Sequence, residues 1–250
     1  MEITVYKTRQ VVSGDSLHAI IDAAIPTIVN GDIVVVTSKI VSICQGRIQK
    51  ATTEEEKFKL IRDEAQYYIE NDATRRYHMA LTVTANILIP NSGIDESNGN
   101  AYYILWPKNP MEAAKELWMY LKEKHQLDTL GVIITDSHTT PLRWGTTGIG
   151  IAWCGFAALN NYIGKPDIFG RPLEVTKANI LDGLSAAAVV VMGEGNEQTP
   201  LALIRNTPFV QFQNQPPTKE EADSLIITLD DDLYSPILTS APWKKGNATK

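Results

Sequence analysis

GDIVVVTSKIVS, residues 31–42, is the stretch on which the fold turns. Ile33 to Val36 is an unbroken run of β-branched residues. Such a run marks a strand buried on both faces. Thr37, Ser38 and Lys39 leave its carboxyl end. Two readings of them stay open. Hydroxyls and an ammonium in that position can grip a phosphate. Equally, they can be a strand-to-helix connector with Lys39 in water.

Working outward, Glu2–Tyr6 alternates polar and apolar residues and is predicted to be a strand. A helix follows at the spacing of Leu17, Ile20, Ile21 and Ala24, capped by Ser13 or Asp15 and ended by Pro26. Thr53 with Glu56 is a capping box. It opens a charged helix predicted to reach Glu70, with Phe58, Ile61, Ala65 and Ile69 as its apolar stripe. Further on, Ala101–Trp106 is a predicted strand. Asn109-Pro110 starts a helix whose apolar face is Ala113, Leu117, Tyr120 and Leu121. Ile149–Trp153 and Leu201–Arg205 are further strands. Asn179–Met192 is a buried helix that Gly193 terminates. A short helix is predicted over Thr218–Asp223, and the residues from Ser240 as a loose tail.

Two acidic segments follow apolar runs. NSGIDESN, residues 91–98, comes after the run Met79–Pro90. Gly93 and the Asn/Ser pairs favour a turn there. Asp95 and Glu96, flanked by oxygen donors, suit a hard divalent cation or a solvated polar turn. GVIIT, residues 131–135, runs straight into Asp136, Ser137 and His138. Asp136 is either a turn cap or, with Asp95 on a neighbouring strand, half of a Mg²⁺ or Mn²⁺ site. A soft metal would need more histidines and cysteines close by. Arg143, His138 and Arg171 are candidate contacts for an anionic substrate, and Arg205 is a further basic candidate. Glu194 among glycines is another candidate cation ligand.

Composition narrows the classes. The chain has 250 residues, 44% hydrophobic and 21% charged, in the range of an ordinary globular protein. A net charge of −6 argues against broad nucleic-acid binding. Cys44 and Cys154 are far apart with no CxxC context, which fits a reduced cytoplasmic protein. The opening MEITVYKTRQ is not a signal peptide, and the run Leu184–Gly193 has about half the length a membrane span needs.

GDIVVVTSKIVS, SGIDESN, VIITDS, the run from GIGIAWCGF through DIFGRPLEVTKANILDGLSAAAVVVMGE, and PLALIR occur in this order. Together, over roughly Ile3 to Pro236, they resemble the coenzyme F420-0:γ-glutamyl ligase family. The resemblance implies an α+β fold of mixed sheets with packed helices, assembled as a homodimer. It implies one ligase domain over 1–239, as one unit or two intertwined subdomains, and a flexible tail over 240–250. It also implies an enzyme that uses GTP (or ATP), Mg²⁺ or Mn²⁺ and a monovalent cation to join L-glutamate to a carboxylate through an acyl phosphate. Asp95 and Asp136 match the family's metal-binding aspartates, with Ser137 and Glu194 as further ligands. Ser38, Lys39, Asn98, Met192, Gly193, Gly195 and Asn196 match positions that contact the nucleotide.

The departures from the family pattern are local. A usual glycine–apolar–proline loop reads Lys7-Thr8-Arg9-Gln10, and a usual second lysine is Ile43. Ser137–Pro141 stands where Phe-Gly-Arg-Pro is common after the second aspartate. Metal positions persist while positions near nucleotide and acceptor change. Three outcomes fit that pattern: a ligase for F420-0, a ligase for folate-type acceptors, or a nucleotide- or metal-binding protein that has lost ligation.

Overall fold

The structure, a computed structural model, describes residues 1–248. In chain order the strands and helices are β1 (Glu2–Tyr6), α1 (Leu17–Ala24), β2 (Asp32–Thr37), α2 (Ser38–Cys44), β3 (Ile48–Gln49), α3 (Glu54–Glu64), β4 (Tyr67–Ile69) and α4 (Asp72–Arg75). There follow β5 (Leu81–Thr84), β6 (Ile87–Pro90), β7 (Tyr103–Ile104), α5 (Pro110–His125), β8 (Leu130–Thr139), β9 (Thr146–Cys154) and β10 (Leu159–Asn161). The last are β11 (Lys177–Asn179), α6 (Ile180–Met192), β12 (Leu201–Arg205), α7 (Lys219–Leu225), α8 (Ser235–Leu238) and β13 (Lys244–Lys245). The architecture is mixed α+β, as expected.

The main sheet has the order β1-β12-β2-β8-β9. Only β2 and β8 run parallel, with Val34 opposite Val132 and Thr37 opposite Thr135. The run Ile33–Val36 is covered on both faces, each residue being fully buried. Alternation explains how. Val34 and Val36 face a layer with Ile20 and Ile21 of α1, Ile40 and Val41 of α2, and Leu117 and Leu121 of α5. Ile33 and Val35 face Leu181, Leu184 and Ala188 of α6. The 2-residue period of a strand thus feeds two separate cores.

A second, antiparallel sheet, β13-β4-β5-β6, packs against α3. Phe58 and Ile61 of α3 join Ala80, Ile94 and Leu105 there. The predicted charged helix is shorter than expected and stops at Glu64. The capping box of Thr53 and Glu56 is present. Beyond Ala65, however, Tyr67-Tyr68-Ile69 pair with Val83, Thr82 and Leu81. Aromatic and β-branched residues next to an open strand edge favour pairing over another helical turn. Instead of a loose tail, Lys244 and Lys245 add a strand beside Tyr68 and Tyr67, and Gly246 N donates to Gln66 O. Residues 249–250 of that expected tail lie outside the described residues. Ala101–Trp106 forms only a two-residue strand, paired with Ile48–Gln49.

The α1 cap is Ser16 rather than Ser13 or Asp15, its hydroxyl accepting from Ala19 N. Asp15 is occupied elsewhere: both its carboxylate oxygens hold the Arg9 guanidinium, at 2.6 and 2.7 Å. No helix of the described residues is long and apolar enough to cross a membrane.

Candidate functional site

A cleft of about 700 Å³ opens at the carboxyl ends of β2 and β8. Strand ends of a parallel pair are a usual place for ligands, because the chain diverges there and leaves a crevice. Thr37, Ser38 and Lys39 form one wall, and Thr135, Asp136 and Ser137 lie beside them. The 95–100 loop, the 193–200 segment and Thr8–Val11 complete the lining. Every residue matched to a nucleotide or metal position therefore borders this one cleft.

Asp95 reaches it through an unusual turn. Asn91, Ser92 and Gly93 all take left-handed backbone angles, with φ of 54°, 56° and 70°. Such angles are unfavourable for residues with a side chain and persist only where surroundings fix them. Here Asn91 Oδ1 accepts from Ala80 N at 2.9 Å. Buried Ser92 donates its hydroxyl to Ile61 O at 2.9 Å. Asp95 then bridges to Ile104 through a reciprocal backbone pair of 3.0 and 2.8 Å.

Lys39 Nζ lies 2.6 Å from Asp95 Oδ2 and 3.1 Å from both Ser97 oxygens. Burial alone would raise the Asp95 carboxyl. The Lys39 ammonium and the Ser97 N–H and hydroxyl outweigh it and hold Asp95 below the usual range. Asp136 shows the opposite balance. Burial dominates, the Trp106 and Ser137 N–H donors offset only part of it, and the Asp95 charge adds to it, so the carboxyl is pushed up to about 6. Two carboxylates thus line one cleft, one held as an anion and one made reluctant to ionise by burial and by its neighbour's charge.

Asp136 is not at a strand end. β8 continues through it to Thr139, past an irregularity at Ile134/Thr135, in register with β9. Glu194 borders the cleft but stands apart from the aspartates, accepting from Thr146 Oγ1 at 3.2 Å. Among the described residues no three carboxylate, histidine or cysteine side chains converge as a metal cluster. The acidic set is a pair, with neutral oxygens of Ser137 and Ser38 next to it. Glu96 points away and is 3.6 Å from Lys57 Nζ.

Across the cleft, Asn98 Nδ2 donates to Gly195 O at 3.1 Å, tying the two loops together. Gly193 has φ of 83°, and a Cβ there would meet the Glu197 carboxylate at 2.5 Å. Glycine at that point serves the loop as well as ending α6.

Arg143, His138 and Arg171 are not brought to the cleft. Arg143 sits on the exposed β8–β9 turn beside fully exposed Leu142 and Trp144. His138 is half-buried and faces Asp182; burial pulls its pKa down against that charge. Arg171 is exposed and 3.4 Å from Asp167. Arg205 lies at the far end of the sheet, on Asp32. Arg9, expected only as part of an altered N-terminal loop, lines the cleft, and Trp106, expected only as the end of a strand, reaches into the site. Trp106 Nε1 donates to Asp136 Oδ2.

Part of this chain is similar in sequence to known proteins. Residues 6–206 match the family model described as F420-0:Gamma-glutamyl ligase. A protein of Methanococcus maripaludis named coenzyme F420:L-glutamate ligase is 45% identical over 124 residues, 50% of this chain and 49% of its own. The Methanocaldococcus jannaschii protein of the same name is 44% identical over 121 residues, 48% of each chain. That of Halobacterium salinarum is 37% identical over 120 residues, 48% of this chain and 46% of its own. The chain spans about half the length of the curated relatives it matches.

Proposed function

The chain belongs to the F420-0:gamma-glutamyl ligase family, and from that premise we propose that it joins L-glutamate to a carboxylate acceptor with consumption of a nucleoside triphosphate. One observation carries the reading. Asp95 and Asp136 converge beside Ser38 and Lys39 in a cleft of about 700 Å³, wide enough for a nucleotide and a second substrate. Asp95, Asp136, Glu194 and Glu197 outnumber Arg9 and Lys39 among its charged lining residues. A bare polyphosphate would be repelled, so a divalent cation fits the donor set: hard oxygen ligands with no soft ones. We assign Asp95, Asp136 and Ser137 to hold it, with Glu194 reached only if the 193–198 loop moves. When bound, such a cation neutralises charge on the phosphates.

The remaining work falls to the chain's own groups. Lys39 is placed to exchange Asp95 for a phosphate oxygen once the aspartate engages a cation. Ser38 and Asn196 offer polar contacts to the nucleotide, and Met192 an apolar surface. The acceptor carboxylate attacks the γ-phosphorus, the bond to the β-phosphate oxygen breaks, and an acyl phosphate and nucleoside diphosphate result. The free amine of glutamate then attacks the acyl carbon, inorganic phosphate leaves, and the amine's surplus proton passes to solvent. Positioning and charge neutralisation suffice for such a transfer, which needs no protein nucleophile.

The test is incubation with GTP or ATP, Mn²⁺ or Mg²⁺, glutamate, and either F420-0 or a folate-type acceptor. Phosphate release with a mass gain of one glutamyl unit is expected with one acceptor. No turnover with any of them overturns the ligase reading. Ile43 in the cleft wall and Arg9 at its rim motivate the second reading, binding without ligation. In that case GTP or ATP with Mn²⁺ still raises the thermal midpoint, because a ligand at ~100 times its Kd stabilises by about 2.7 kcal/mol. We also propose a homodimer, supported by the exposed apolar residues Leu142, Trp144, Ile168, Phe169 and Val190. Light scattering should then give about twice the 27.6 kDa chain mass. Free Cys44 and Cys154 are consistent with a cytoplasmic setting.

A further inference from the structure

We propose that Trp106 is a positioning residue that sets Asp136 against Asp95, and that Gly93 is glycine so that the indole can lie where it does. The inference rests on the assignment of Asp136 as a cation ligand, and goes beyond it to what aims that ligand.

The geometry has three parts. First, the Trp106 indole is buried, at 6% exposure, and its one polar atom, Nε1, donates to Asp136 Oδ2. Asp136 Oδ1 accepts from Ser137 N at 2.8 Å. Each carboxylate oxygen thus has a donor from the protein, which fixes the rotation of the group while leaving lone pairs toward the cleft. Second, the indole runs flat over Gly93. A Cβ built on Gly93 would lie 2.1 Å from Trp106 Nε1 and 2.3 Å from Cε2, so no other residue fits there. Gly93 is two residues before Asp95. Third, the Trp106 backbone is held. Ile104, two residues earlier, is zipped to Asp95 by the reciprocal backbone pair, and Trp106 O accepts from Arg47 Nε at 3.0 Å. Arg47 is in turn paired with Glu64 at 2.6 Å.

One rigid ring therefore touches the segment that carries Asp95 and hydrogen-bonds the side chain of Asp136. Asp95 belongs to the chain between β2 and β8, whereas Asp136 belongs to the main sheet itself. Among the described residues no strand ladder joins the two; Lys39 ties Asp95 to α2, but that contact does not reach the Asp136 side chain. The indole is the contact that touches both, a spacer between the two parts. Donors behind a ligating carboxylate commonly matter to metal affinity by roughly 10–100-fold.

The experiment is a titration of Mn²⁺ into metal-free protein without nucleotide, read by calorimetry or by the free-Mn²⁺ paramagnetic resonance signal. Four proteins are compared: the native chain, Trp106→Phe, a chain with benzothienylalanine at position 106, and Asp136→Asn. Trp106→Phe removes the donor and part of the ring. Benzothienylalanine replaces the N–H by sulfur at nearly the same volume, so it keeps the packing if Trp106→Phe fails to fold. The expected result is a Kd for Mn²⁺ raised ~10-fold or more in both chains lacking the donor, and no measurable binding in Asp136→Asn. Native affinity in the benzothienylalanine chain, with binding lost in Asp136→Asn, overturns the role of Trp106 alone. Native affinity in Asp136→Asn overturns the cation-site assignment and this inference with it.

Discussion

Asp136→Asn should abolish glutamate ligation and, in metal-free protein, gain stability relative to the native chain as pH rises from 4 to 7. Burial and the Asp95 charge push the folded carboxyl up to about 6, from an ordinary 3.8. The folded state therefore holds this proton more tightly than the unfolded state. Stability from this group is complete below about pH 4 and is lost as pH rises through 6. The variant has no such proton to lose. Its amide oxygen accepts from Trp106 or Ser137 but not from both, a handicap that is the same at every pH. Only the pH-dependent part of the comparison therefore reports on the carboxyl. A tenfold tighter hold on the proton is worth about 1.4 kcal/mol, reduced here because the group borders an open cleft. Between pH 4 and pH 7 the balance should move by about 1–2 kcal/mol toward the variant, or roughly 3–5 °C in relative midpoint for a chain of this size. Ligation should fall by ~100-fold or more, since several kcal/mol of transition-state stabilisation go with the cation. Thermal melts in chelator at both pH values, with the ligase assay alongside, check both halves. A midpoint difference that stays constant across this range would refute the account of Asp136 as a destabilised, cation-seeking carboxylate.

Arg205→Met should destabilise the protein by about 2–3 kcal/mol and leave Mn²⁺ affinity unchanged. Asp32 at the start of β2 is 2% exposed in its side chain, and Arg205 Nε and Nη2 hold it at 2.7 and 2.9 Å. Without the guanidinium, the Asp32 carboxylate keeps the Val29 N–H, at 2.8 Å, as its donor among the described residues. Removing one partner of a buried pair typically costs ~3–5 kcal/mol. Arg205 is 38% exposed, so water makes good part of the loss and the lower figure applies. Urea denaturation measures the cost. A weakened Mn²⁺ site would mean that this end of the sheet does communicate with the cleft.

The fold was legible where one chemical pattern coincided with one element. The β-branched run at Ile33–Val36 and the strand Leu201–Arg205 stand where expected, as does the capping box at Thr53 and Glu56. It was least legible where tertiary pairing overrode local preference. Tyr67–Ile69 continue a helical stripe by spacing but pair as a strand. Asp136 is a poor strand former, yet it and Ser137 stay in β8, paired with Ile149 and Gly148 of β9. Within the site, residues at the end of β2 were readable because hydroxyls and a lysine follow a core strand. Trp106 was not, since its meaning lies in a contact with Gly93 and Asp136 that no spacing encodes. Arg143, His138 and Arg171 share the residue types of an anion site but sit on the outer turn, the α6 side and an exposed loop.

The parallel pair β2–β8 has a kinetic consequence. β2 and β8 are hydrogen-bonded neighbours, yet residues 38–129, including the whole α3–β6 region, lie between them in the chain. That pairing closes a long loop before it yields contact energy, and such steps slow folding. Asp95 rides on the intervening stretch and Asp136 on the strand that must wait for it. In refolding from urea, helical circular dichroism should therefore recover before Mn²⁺ affinity does. If the proposed cation site is real, Mn²⁺ binding would act as a clock for the last docking event, and a chain released early would be intact in secondary structure yet unable to bind Mn²⁺.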